Sequence, residues 1–364
     1  MSSNWGKIFQ IQIFGESHGE AIGVTMDGVP PGEPIDMQEL NDFLARRAPG
    51  KAPYATARKE SDTPQFLSGI LDGHTTGAPL VAIIRNHDQH SQDYDTLRRI
   101  PRPGHADYPA SVRFHGAQDV RGGGHFSGRL TAPLCMAGGV ARQILARKGI
   151  LIGAHIKRLA GIDDRPFEAV TLTAEELLSP AKASFPVLDA GVGETMQAAV
   201  ASARQEQDSV GGVIECAAIG VPVGWGSPMF GGVENRLASF LFGIPAVRAF
   251  EIGDGWAAAD ARGSVNNDSW TTDGKALHAR TNHAGGVLGG ITTGMPLIAR
   301  IAFKPTPSIG REQDSVDLQT MTPAKLTVQG RHDPCIVPRA VPVVEAAFAI
   351  VLLDLLLEAK TYEQ

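Results

Sequence analysis

Apolar positions crowd the C-terminal end of the chain. From Val341 to Leu357 only Glu345 and Asp354 carry charge. The run predicts a helix of about 25 Å, buried nearly all round, with Pro342 in its first turn, where a missing N–H costs nothing. A second long apolar stretch, Leu130 to Leu145, predicts a second buried helix. Nearer the start, Phe9, Ile11 and Ile13 alternate with Gln10 and Gln12, the pattern of a half-buried strand. It runs through Gly15-Glu16-Ser17-His18-Gly19 into a second strand near Ala21–Met26, which sets His18 on an exposed turn at the end of a sheet. Asp36 caps the next helix with Glu39 closing the box, and Arg46 and Arg47 end it, where two cations suit the helix dipole. Further strands are expected over Pro79–Arg85, Val210–Val221 and Pro296–Phe303, and helices over Thr173–Leu178, Gly193–Gln205 and Val233–Phe242. Gly28-Val-Pro-Pro-Gly32 is echoed by Gly220-Val-Pro-Val-Gly224, each ahead of a helix, which suggests an internal duplication into two similar halves about one core.

Composition narrows the field. A chain of 364 residues, 43% hydrophobic and 20% charged, suits a soluble globular protein. Net charge of −6 argues against general nucleic-acid affinity, which needs a basic surface. Local arginine clusters in an acidic whole point instead to a small anionic ligand. Cys135, Cys216 and Cys335 are odd in number and scattered, so neither a disulfide framework nor a metal cluster follows; a reducing cytoplasm fits. The first residues lack a signal-peptide pattern, and the acids of the final run deny it a clean membrane span. The 42 glycines gather in loops, where backbone can approach a ligand or turn with positive φ.

The richest chemistry lies in Gly330 to Ala340, which holds two arginines, a histidine and a carboxylate just ahead of the final helix. That is more than capping needs. Arg121-Gly122-Gly123-Gly124 with Ser127 and Arg129 suggests an anion cradle at a helix start, though neither the Walker pattern nor a dinucleotide fingerprint is present. A proline-stiffened loop fixes His105, and Lys304-Pro-Thr-Pro-Ser308 offers a lysine and hydroxyls to a phosphate or a flavin's polar edge. His87 and His90 could recruit a metal, but without further ligands at the right spacing they read better as a solvated loop.

Together these segments resemble chorismate synthase: Gly15-Glu-Ser-His-Gly19, Arg102-Pro-Gly-His-Ala-Asp107, Gly122-Gly-Gly with Ser127-Gly-Arg129, Asn282-His-Ala-Gly-Gly286, Lys304-Pro-Thr306, and Gly330-Arg-His-Asp-Pro-Cys335 with Arg339-Ala-Val-Pro342. They occur in order over nearly the whole chain. The resemblance implies an α+β fold, with a helical layer sandwiched between two mainly antiparallel sheets in one large domain spanning 1–364. It implies a cytoplasmic homotetramer acting as a carbon–oxygen lyase. The substrate is 5-enolpyruvylshikimate 3-phosphate, which loses phosphate and a ring hydrogen by 1,4-anti-elimination to give chorismate, on the way to the aromatic amino acids. Reduced FMN (FMNH2) is required, lending electron density and taking it back; NADPH used by the chain itself or an external flavin reductase could supply the reduction.

By the same resemblance Arg47, Arg129 and Arg339 hold the substrate. His18, with Ser17 beside it, donates a proton to the departing phosphate, and His105 governs protonation of the reduced flavin. Asp333 helps remove the ring hydrogen, and Ser127 relays protons. Flavin contacts fall at His125, Phe126, Ser127, Pro245, Ala246, Gly289, Lys304, Pro305, Thr306, Pro307, Ser308 and Arg331. The chain departs from the commoner family pattern at His125-Phe126, Leu130 and Pro53. Rival readings are a metal-dependent hydrolase built on His18, His105 and His332, and a non-catalytic flavin- or phosphate-binding module.

Overall fold

Period-two patterning in the first 85 residues builds one antiparallel sheet. The computed structural model describes residues 3–48, 62–86, 94–328 and 333–362. In it β1 (Asn4–Trp5), β2 (Gln10–Gly15), β3 (Ala21–Asp27), β5 (Leu80–Arg85) and β4 (Gln65–Ser68) lie side by side in that order, every pair antiparallel. Ile22, Val24 and Met26 face inward from β3, with Leu80, Ala82 and Ile84 beside them on β5. A second antiparallel sheet runs in the order β9 (Val247–Ile252), β10 (Leu297–Phe303), β8 (Gly212–Ile219), β6 (Leu151–Leu159) and β7 (Ile162–Asp163). A bulge between Val213 and Ile214 shifts the β8–β6 register.

Helices meet both sheets. Among the described residues the longer ones are α1 (Met37–Arg47), α2 (Asp107–Arg113), α3 (Thr131–Ala146), α4 (Ala190–Gln205), α5 (Val233–Leu241) and α6 (Val337–Tyr362), with shorter helices at Tyr94–Arg99, Ala174–Leu178 and Gly263–Asn266. The helix α3 packs on β3 and β5 and, on its other side, on α6, which in turn covers β6 and β8. Gly138 makes that helix pair close: a Cβ there would stand 2.2 Å from Ala346 Cβ. One continuous apolar cluster therefore joins residues of both sheets and of α1, α3, α5 and α6. The fold is a mixed α+β arrangement.

Several boundaries differ from the sequence reading. The final helix begins at Val337, so Pro338 takes the first-turn position and Pro342 lies in the interior, forgoing one helix hydrogen bond. Although α6 is long and apolar enough to cross a membrane, 94% of its most apolar stretch is buried within the protein. At α1, Asp36 Oδ1 accepts from the N–H groups of Gln38 and Glu39, as expected. Glu39 does not close the box; the Asp36 N–H donates to Gln143 Oε1 of α3 at 2.8 Å, and Gln143 Nε2 returns a bond to Asp36 O. The two echoed loops do share geometry, since Gly28 and Gly220 each follow a strand with φ of 74° and 78°. The His87/His90 segment and Pro53 lie outside the described residues.

The acids of α6 explain how an apolar helix tolerates them. Glu345, fully buried, accepts a two-pronged bond from Arg46 at 2.6 and 2.7 Å. Asp354 accepts the N–H groups of Lys7, Ile8 and Phe9 at 2.8–3.2 Å and an ion pair from Arg236 at 3.3 Å. Each carboxylate ties α6 to an element far away in sequence. Asp354→Ala leaves the N–H groups of Lys7, Ile8 and Phe9 without their acceptor and Arg236 with Glu358 as its remaining carboxylate, and should cost about 3 kcal/mol of folding stability, read as a lowered urea midpoint; a midpoint unchanged from wild type would count against the tie.

Candidate active site

Between the ends of these elements opens a cavity of about 1190 Å³. That exceeds the roughly 300–1,000 Å³ typical of a single small-ligand pocket and leaves room for two molecules. Among the described residues its wall carries the cations Arg47, Arg102, Arg129, Arg248, Lys304 and Arg339 against one carboxylate, Asp333. In a chain of net charge −6, such a wall is a local electrostatic funnel for anions.

Two of the arginines are held from behind. Arg47 leaves α1 almost fully buried, with Nε donating to Thr131 Oγ1 at 3.2 Å. Arg129 lies in the turn just ahead of α3, where the Ser127 hydroxyl accepts its backbone N–H. Asp62, itself buried, gives one oxygen to each guanidinium. Arg339, in the first turn of α6, donates from Nε to Arg47 O at 2.9 Å and pairs through Nη1 with Asp333. Burial pulls the Arg339 pKa below its ordinary value, with Asp333 opposing and Arg47 adding to the shift.

The histidines occupy a separate corner. His18 is buried rather than exposed, because the loop 122–124 from another part of the chain packs over its turn and Ser17 N donates to Gly124 O at 3.1 Å. The three glycines have positive φ and stop well short of α3, so they are not a helix-start cradle. They act as a thin partition. A Cβ at Gly122 would stand 2.1 Å from His18 Nδ1, and one at Gly123 would stand 3.3 Å from His105 Nε2. Two ring systems distant in sequence thus approach either side of bare backbone, a packing only glycine allows here.

His105 belongs to a tight cluster. Its Nδ1 lies 2.6 Å from Asp107 Oδ1, and Arg102 grips the same carboxylate through Nε and Nη2 at 2.8 Å each. Arg102 Nη1 also reaches Ser308 Oγ at 3.1 Å. Burial opposes ionisation of Asp107, but the hydrogen bonds from Arg102 and His105 prevail and hold its pKa below the usual carboxylate range. The ionised carboxylate, which can only accept, fixes the Nδ1–H form and leaves Nε2 facing Gly123.

Most of the remaining candidates share this cavity. His125, Phe126, Ser127, Pro245, Ala246, Lys304, Thr306, Pro307 and Ser308 line it. His125 bridges Gly15 O and Ser3 Oγ at 2.8 Å each. Thr306 Oγ1 donates to Asp333 O at 3.0 Å, joining that loop to the start of α6. Burial, with Arg248 nearby, lowers the Lys304 pKa. Ser17 and His18 stand behind Gly122, which does line the cavity. Pro305 packs instead near Gly211, and Gly289 sits on a separate hairpin, Val287–Leu288 with Ile291–Thr292. Arg331 and His332 lie outside the described residues, among which no group of three metal-ligating side chains occurs. Sequence reading missed Asp62 as the partner of both arginines and Asn86 beside Arg129, since isolated polar residues in loops leave no periodic trace. The Arg102–His105–Asp107 spacing, by contrast, was a usable signal.

Fold and cavity together define an α+β protein with a deep, cation-walled chamber suited to anionic small molecules. The sequence model of the family described as chorismate synthase matches residues 9–357. Chorismate synthase of Lancefieldella parvula is 47% identical over 98% of this chain and 96% of that protein. The enzyme of Thermococcus gammatolerans is likewise 47% identical, over 98% of both chains. A crystal structure of chorismate synthase superposes with a TM-score of 0.75 at 27% identity, covering 98% of this chain and 93% of that one. The chain belongs to the chorismate synthase family.

Folding lowers the Asp107 pKa, so its contribution to stability is complete above the unfolded-state value of about 3.9 and is lost only as pH falls through the depressed folded value. Asp107→Asn should therefore be less stable than wild type at neutral pH, with the gap closing in acid. Urea unfolding over a pH series measures this; a gap that does not vary with pH would speak against the ion pair.

Proposed function

We propose that the chain converts 5-enolpyruvylshikimate 3-phosphate to chorismate and phosphate, as a carbon–oxygen lyase requiring reduced FMN. The observation behind this reading is the meeting of three arginines, His105, Asp333 and the His18 turn around one chamber with space for two ligands. Family membership supports it independently.

Arg47, Arg129 and Arg339 match the substrate's phosphate and carboxylates, because a guanidinium fork binds either in two-pronged fashion. His18, its ring pressed to Gly122, supplies a proton to the departing phosphate, with Ser17 and Ser127 beside the path. His105 holds or releases a proton at Nε2 next to the cofactor, its Nδ1 engaged by Asp107. Asp333, steadied by Arg339, serves removal of the ring hydrogen. The residues present fit a flavin mononucleotide: Lys304, Thr306 and Ser308 offer a cation and hydroxyls, and Phe126, Pro245 and Ala246 offer apolar wall. Reduced FMN, when bound, supplies transient electron density as the carbon–oxygen bond breaks. Closure of such a chamber strengthens each of these charges by excluding water.

We read the architecture as one domain, a helical layer between two antiparallel sheets, descended from a duplication. We also assign the chain to a cytoplasmic homotetramer. Apolar side chains left open to solvent, Phe230 at 91% and Trp256 at 82%, support further assembly.

An anaerobic assay of the purified chain with reduced FMN should release phosphate and form chorismate, and oxidised FMN should support neither. His18→Ala and Asp333→Ala should each lower turnover by about 10²–10⁴-fold with circular dichroism and unfolding midpoint retained. Absence of phosphate release by the wild type under reducing conditions would sink the reading.

A further inference from the structure

The structure assigns Asn86 as a positioning residue: its amide ties the turn that carries Ser17 and His18 to the guanidinium of Arg129. The assignment rests on the reaction proposed above and adds how the proton donor and the anion-binding fork keep one fixed spacing.

Asn86 follows β5 directly, and its backbone N–H donates to Glu20 O at 3.1 Å, pinning the residue beside the β2–β3 turn. Its side chain then works at both ends. Oδ1 accepts from Nε and Nη2 of Arg129, both at 3.3 Å. Nδ2 donates to Gly19 O at 2.8 Å and to Glu16 O at 3.3 Å, the carbonyls on either side of Ser17-His18. The amide has only one sensible orientation. Reversed, it would set NH2 against guanidinium donors and oxygen against two carbonyls, losing every bond.

The remaining contacts define what this tie does. Arg129 is fixed at Nη1 by Asp62, while Asn86 takes the Nε edge, so the guanidinium plane is set from two directions. On the other side, the turn is closed by Gly19 N donating to Glu16 O at 3.1 Å and is anchored to the glycine partition by Ser17 N. Asn86 is not among the described residues of the cavity wall. It therefore acts through its neighbours. A plain stitch between a strand end and a hairpin would need only the carbonyl bonds; the fork to Arg129 is what a shared frame for two catalytic tasks adds.

Two variants separate the ends of the tie in the full-length protein at neutral pH. Asn86→Asp keeps an oxygen for Arg129 but, ionised, cannot donate to Gly19 and Glu16. Asn86→Ala removes both ends. With 5-enolpyruvylshikimate 3-phosphate and reduced FMN, Asn86→Asp should hold KM within about twofold of wild type while kcat falls about 10–100-fold, the effect of a misplaced proton donor. Asn86→Ala should show the same fall in kcat and in addition a rise in KM of about tenfold, from loss of a bond to a charged group. In both variants amide hydrogen exchange should quicken at Ser17 and Gly19 but not in α6. A kcat for Asn86→Asp within twofold of wild type, or identical constants for the two variants, overturns the assignment. So does faster exchange spread over the whole chain with no split between KM and kcat. If the wild type itself shows no turnover, the proposed reaction fails and exchange alone decides: quickening confined to the turn upholds Asn86 as the tie, and unchanged exchange overturns it.

Discussion

An apolar helix that carries buried carboxylates must bring cations and donors to them, and in this protein that requirement organises the molecule. Removing a carboxylate from water costs several kcal/mol unless charge and hydrogen bonds replace the lost solvent. Glu345 draws in Arg46 from α1, and Asp354 draws in Arg236 from α5 and the backbone ahead of β2. The helix therefore cannot be treated as grease between two sheets. Its register against α1 and α5 is set by charge, and its first turn delivers Arg339 and, just before it, Asp333 to the chamber.

The chamber obeys the same electrostatics with the sign reversed. Its cations are partly matched, from behind by Asp62 for Arg47 and Arg129 and by Asp107 for Arg102, and on the wall itself by Asp333 for Arg339. Such pairing keeps the guanidiniums ordered while the wall stays rich in positive charge for an anionic ligand. Lys304 and Arg248 also line the chamber, and burial together with the like charge of Arg248 depresses the lysine's affinity for its proton. A dianionic group arriving there would relieve that repulsion.

Much of this was legible in the chain and some was not, for identifiable reasons. The strands around Ile11, Val24 and Ile83 and the helices over α1, α3 and α5 announced themselves through apolar patterning, alternating in β2, helical in α1 and continuous in α3, which depends on local burial alone. Pro342 misled, because buried packing on α3 and β8 tolerates one missing bond inside α6. His18 looked exposed because nothing near it in sequence covers it; the cover comes from Gly122–Gly124, far along the chain. The same glycines suggested a phosphate cradle, since a glycine-rich run reads alike whether backbone approaches a ligand or a side chain. Asp62 and Asn86 were silent as single polar residues in loops, although both are fixed by several bonds in space.

The place of α6 in the fold has a consequence for how the chain closes up. The segment around which both sheets and α1 assemble reaches far along the chain for its partners: Asp354 and the Phe9 backbone that it holds stand 345 positions apart. A contact of that separation must close a long loop before it returns any energy, which makes it slow to form. Until α6 docks, the two sheets have no shared interior to close upon, and their apolar faces stay uncovered.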